Sequence, residues 1–152
     1  MKIITGLWTL MMLAAVCMAQ QAQAAAPQVS EADREGITRA ALDYAESYYE
    51  GDGAKMERAL HPDLAKRIVR NSPEGRSRLD HMSAMTLVQI IRMGSGKNTP
   101  KDQQLKDVKI LDVFGNNASA RVEMLDWVDY MHLAKWNGQW KIVNVLWEMK
   151  KK

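Results

Sequence analysis

Cysteine is all but missing from this chain: the only one is Cys17, inside the first apolar stretch. With that stretch set aside, disulfides, thiolate nucleophiles and cysteine-ligated zinc are excluded. Histidine is scarce as well, and His61, His81 and His132 lack the close paired spacing of a zinc site. Neither a metal nor a cofactor is expected. Charge of one sign does not dominate either. The formal net charge is +3, and three of the lysines form a C-terminal tail, Lys150, Lys151 and Lys152. A basic balance of that origin makes no case for nucleic acid. A phosphate-binding loop is also absent, although "GSGKNT" invites the comparison. Its first glycine would fall at Ile91, Asn98 stands where a hydroxyl must hold magnesium, and Pro100 follows where a helix is required.

Long apolar runs are missing with one exception. "MKIITGLWTLMMLAAVCMAQQAQA" starts basic at Lys2, is apolar from Ile3 to Ala19, and ends on Ala22 and Ala24 in an A-x-A pattern. It reads as a signal peptide, residues 1–24, cleaved after Ala24. The run is shorter than the roughly 20 residues that cross a bilayer, so no stable membrane anchor is expected after cleavage. A periplasmic or secreted protein follows. Taking 24 residues from 152 leaves 128, which suits a single domain over 25–152.

What is present divides into two periods. Ser30 and Asp33 resemble a helix cap, and Ile37, Ala41, Tyr44, Ala45 and Tyr48 recur at helical spacing until Gly51-Asp52-Gly53. Asp52 caps a second short helix, "AKMERALH", that must yield at Pro62. "PDLAKRIV" reads as another turn or two of helix, "RNSPEGRSR" as a loop, and "HMSAMTLVQIIRM" as a third helix with Asp80 and Ser83 as caps. Beyond "GSGKNTPKDQQ" the pattern alternates. "LKDVKILDVF" and "ASARVEML" flank Gly115-Asn116-Asn117, and "VDYMHLAKW" and "QWKIVNVLWEM" flank Asn137-Gly138, a strong hairpin signal. Helices first and antiparallel strands afterwards predict an α+β domain.

A two-residue loop at Asn137-Gly138 pairs Trp136 with Gln139 and, if continued evenly, sorts the hairpin into two faces. One face carries Trp127, Asp129, Met131 and Leu133 with Trp140, Ile142, Asn144, Leu146 and Glu148. The other carries Val128, Tyr130, His132, Ala134 and Trp136 with Val143, Val145 and Trp147. Both faces are rich in large apolar groups, and helices can cover only one. A homodimer is therefore expected to bury Tyr130, His132, Val143, Val145 and Trp147; cover by the chain's own tail is the alternative.

On the helix-covered face Asp129, Asn144 and Glu148 are anomalous, because a buried unpaired carboxylate is costly. They are expected either to edge a small-molecule pocket with Tyr44, Tyr48, Trp127 and Met131, or to be satisfied in solvent and by backbone. General acid–base work by Asp129 or Glu148, with Tyr44 as hydrogen-bond donor, is a second functional reading. A structural interaction module is a third.

The order helix, "GDGAKMERALHPD", "MSAMTLVQIIR", then "DYMHLAKWNGQWKIVNVLWE" resembles the putative lumazine-binding family of the nuclear transport factor 2-like superfamily, over about residues 33–149. The resemblance implies a curved sheet wrapped by helices into a cone, whose open end can take a small, partly apolar molecule, and frequent sheet-to-sheet dimers. It implies no particular reaction, since fold alone does not supply chemistry.

Overall fold

The computed structural model describes residues 29–151. The expected leader, its cleavage site and Lys152 lie outside the described residues. Helix α1, Glu31–Glu50, starts where the Ser30 hydroxyl accepts from the Asp33 amide, and it stops at Gly51 in a left-handed conformation. Asp52 accepts from the amides of Ala54 and Lys55 and so starts α2, Gly53–Ala59. These are the caps the sequence announced.

The next stretch departs from expectation. The residues read as a helix and a loop form strands β1, Leu60–Asn71, and β2, Ser77–Ser83, joined by a tight connection. Leu64, Lys66 and Ile68 point inward in alternation, which is the period of a strand. Pro62 is accommodated where the β1 ladder is interrupted between Leu60 and Ala65, so its missing N–H breaks no regular bond. Ser83 then caps α3, Ala84–Arg92, which begins three residues later than expected.

A 3-10 turn, Lys101–Gln103, leads into β3, Lys106–Phe114, β4, Asn117–Met124, β5, Trp127–Trp136, and β6, Gln139–Met149. The sheet order is β2-β1-β6-β5-β4-β3. All neighbours are antiparallel except β1 and β6, which run parallel, so the purely antiparallel arrangement is corrected. The three helices pack on one side. Ile37, Ala41, Tyr44 and Ala45 of α1 share a core with Val122, Met124, Met131, Leu133, Ile142 and Val145 of the sheet. The α+β class stands.

The hairpin of β5 and β6 keeps the expected pairing only part of the way. Asn137 and Gly138 both have positive φ, as the two-residue turn requires, and Trp136 faces Gln139. The pairing holds as far as Leu133 with Ile142. Val143 is then an extra residue on β6, and the next pair is His132 with Asn144. This β-bulge slips every later residue by one and exchanges its face. Val145 and Trp147 therefore turn to the helix side beside Met131 and Asp129, while Asn144, Leu146 and Glu148 turn outward beside His132, Tyr130 and Val128. Five expected placements are corrected by that single residue: Asn144, Leu146 and Glu148 are not inside, and Val145 and Trp147 are not outside.

Candidate functional site

Two hollows compete. The larger, about 590 Å³, runs between α1 and the β5–β6 turn and is ringed by charge. Its groups satisfy one another: Arg39 and Arg58 hold Asp43 at 2.7 and 2.8 Å, Lys55 holds Glu46 and Glu50, and Lys135 holds Asp33 at 2.7 Å. Asp33 also accepts from the Trp140 indole N–H at 2.9 Å. Its contacts with Lys135, Ser30 and Trp140 bring its pKa down to about 2. This is a clamp from the start of α1 to the hairpin turn, and its charges are paired with one another.

The second hollow, about 330 Å³, opens between α1, α3 with the Gly94–Gly96 turn, and the ends of β5 and β6. Its walls are aromatic and soft: Tyr48, Trp127, Trp147, Met56, Met82, Met149, with Leu87, Ile90 and Ile91 from α3. Tyr48 meets Trp127 edge-on with ring centroids 4.8 Å apart, and Trp127 meets Trp147 at 6.2 Å. Ser95 and Asp126 are the polar groups beside its otherwise apolar lining, apart from the floor.

That floor is the ammonium of Lys66, carried inward by β1 and only 4% exposed. Its Nζ donates to the Tyr44 hydroxyl and to Asp129 Oδ1. The other carboxylate oxygen, Asp129 Oδ2, accepts from Trp127 Nε1 at 2.7 Å. The ring of Trp147 caps the ammonium at 4.7 Å, with Tyr44 at 5.1 Å and Trp127 at 5.8 Å. Burial pulls the Lys66 pKa below its ordinary value, and the Asp129 carboxylate opposes that pull. Burial first, and Asp129 second, push the Tyr44 phenol well up, so Tyr44 stays neutral. Trp147 Nε1 is buried without a partner.

Of the residues expected at a pocket, Tyr44, Tyr48 and Trp127 line this cavity. Asp129 stands one step behind, fully buried, holding Lys66. Met131 packs in the core behind the cavity wall, 1% exposed. Asn144 lies on the other side of the sheet, accepting from Arg67 Nη1 at 2.9 Å with His132 Nδ1 3.3 Å from its amide nitrogen. Glu148 is outward too, opposite Val128. The two alternative bases, Asp129 and Glu148, thus lie on opposite sides of the sheet. On the outer face Tyr130 and His132 remain exposed, and Val143 borders a shallow groove with His132 and Phe114. Lys66 was missed altogether. An inward carboxylate among apolar neighbours demands a cation, which signals that one exists but not which residue supplies it.

Among the described residues no three acidic, histidine or cysteine side chains gather to hold a metal, and no helix is long and apolar enough to cross a membrane. A family model described as putative lumazine-binding matches residues 32–148. No curated protein matches the chain. An NTF2-like protein of unknown function from Methylobacillus flagellatus is 24% identical and superposes with a TM-score of 0.62, over 82% of this chain and 97% of that one. Another from Shewanella baltica is 17% identical, TM-score 0.61, over 82% and 99%. A cystatin-like-fold domain from Nostoc punctiforme is 13% identical, TM-score 0.53, over 82% and 81%. These structures share the fold.

Proposed function

This chain belongs to the family described as putative lumazine-binding, and from that premise we propose an exported protein that binds a small, partly apolar molecule without transforming it, and that works as a homodimer. The observation that carries the reading is the cavity over Lys66: apolar and aromatic walls, with the charge at its floor paired within the protein. Such a lining with few convergent polar groups is the usual make-up of a ligand pocket. Catalysis is the weaker reading because both oxygens of Asp129 are engaged, by Lys66 and Trp127, and Glu148 faces away. A base must reach the proton it removes. Export rests on the basic, apolar and A-x-A order of residues 1–24. The dimer rests on the outer face, where Leu79, Val69, Leu146 and Tyr130 are each about half exposed.

Native mass spectrometry of protein purified from its own host compartment tests all three parts. The expected spectrum shows a chain beginning at Ala25, twice its mass as the assembled species, and an added small mass that Trp147→Ala loses. An empty protein that also fails to take up any apolar compound would remove the binding function.

A further inference from the structure

We propose that Lys66 recognises a neutral hydrogen-bond acceptor, so that the cavity selects flat apolar molecules bearing a carbonyl oxygen and rejects carboxylates. This rests on the cavity being a ligand site and names the chemical class it takes.

An ammonium has three N–H donors. Two of those on Lys66 meet protein oxygens, on Tyr44 and Asp129. No third oxygen acceptor approaches it among the described residues; aromatic faces surround the rest. Trp147, whose ring caps the ammonium, holds another buried donor without a partner. Both oxygens of Asp129 are already engaged. The floor therefore has donors to spare, while each oxygen of its one carboxylate already accepts a hydrogen bond, and a ligand that complements it brings an acceptor.

The sign of that acceptor follows from charge. Lys66 and Asp129 already neutralise each other, one for one. A carboxylate ligand would add an unpaired negative charge beside this buried pair, in a cavity that also has Asp126 among its lining residues. A carbonyl oxygen adds none and still takes the open N–H. The body of the ligand is set by the walls. Tyr48, Trp127 and Trp147 offer ring faces and edges for stacking, and Met56, Met82 and Met149 offer adaptable thioether contact.

Equilibrium dialysis with three probes of one shape tests this: acetylnaphthalene, isopropylnaphthalene and naphthoate, all substituted at the same ring position. The unmodified protein should hold the ketone about tenfold or more tighter than the acid, whose added negative charge finds no partner in the cavity. In Lys66→Met/Asp129→Leu, which removes the ion pair without stranding a charge, the ketone should weaken by about tenfold while the hydrocarbon is unchanged or tighter. Equal weakening of ketone and hydrocarbon overturns the proposal, as does naphthoate binding as tightly as the ketone, a comparison that needs no variant. If the unmodified protein retains none of the three, the cavity reading itself falls and takes this one with it; equal weakening sinks the carbonyl preference alone.

Discussion

Lys66 and Asp129 are the pair on which the inner side of the sheet depends. Neither can be removed alone without leaving an unpaired charge among buried side chains. Lys66→Met is expected to destabilise the fold by about 3–5 kcal/mol, a large share of the total for a domain of this size. Adding Asp129→Leu should restore most of that loss, because apolar groups of similar volume replace buried ion pairs at little cost. Urea unfolding of the two variants checks it: a double variant no more stable than the single one would mean that the packing of Lys66, not its charge, is what matters. Half of this pair was legible beforehand. Asp129 stood out as a carboxylate among inward apolar residues. Its partner did not, because Leu64 and Ile68 are four apart, a spacing that serves a helix as well as a strand, and the lysine between them broke the alternation that would have decided.

At the scale of elements, Val143 explains more than any other residue. An even register left Asn144 and Glu148 as unexplained polar groups on an apolar face and put Trp147 on the opposite one. With the bulge, the polar residues go outward and the indole goes inward. The anomaly was itself the sign of the slip, but Ile142 and Val143 are both β-branched and either suits the core, so no local preference marks which is extra. The turn after α3 makes a separate prediction. Gly94 and Gly96 both have strongly positive φ, yet a Cβ on Gly94 would meet open space and one on Gly96 would lie 2.3 Å from Tyr48 Cε1. Each change to alanine should cost about 1–2 kcal/mol for the backbone alone. Gly96→Ala should cost at least about 1 kcal/mol more, since it must displace the ring that meets Trp127 across the cavity. It should weaken acetylnaphthalene binding as well, whereas Gly94→Ala should not. Equal melting curves for the two would show that Tyr48 yields freely.

For the whole molecule, the class and the β3–β4 and β5–β6 hairpins were readable, since period and hairpin chemistry are local. The parallel pairing of β1 with β6 was not, since it joins segments far apart in the sequence and leaves no local mark. The outer face carries the remaining prediction. Light scattering at micromolar concentration should find a dimer, and Tyr130→Glu with Leu146→Glu should turn it into a monomer. A charge at the centre of an apolar contact costs more than about 2 kcal/mol, which is roughly thirtyfold in affinity. The monomer should keep its thermal stability, because both side chains are exposed in the single chain. An unmodified protein that is already monomeric ends the idea. There is also a consequence in time. Strand β6 sits between β1 and β5 in the middle of the sheet, so until it emerges the growing polypeptide holds a hairpin, β2-β1, and a separate three-stranded meander, β5-β4-β3, each with an open edge. A chain whose central strand is delivered last stays pliant until then, and its sheet zips shut only when β6 slots between the two pieces.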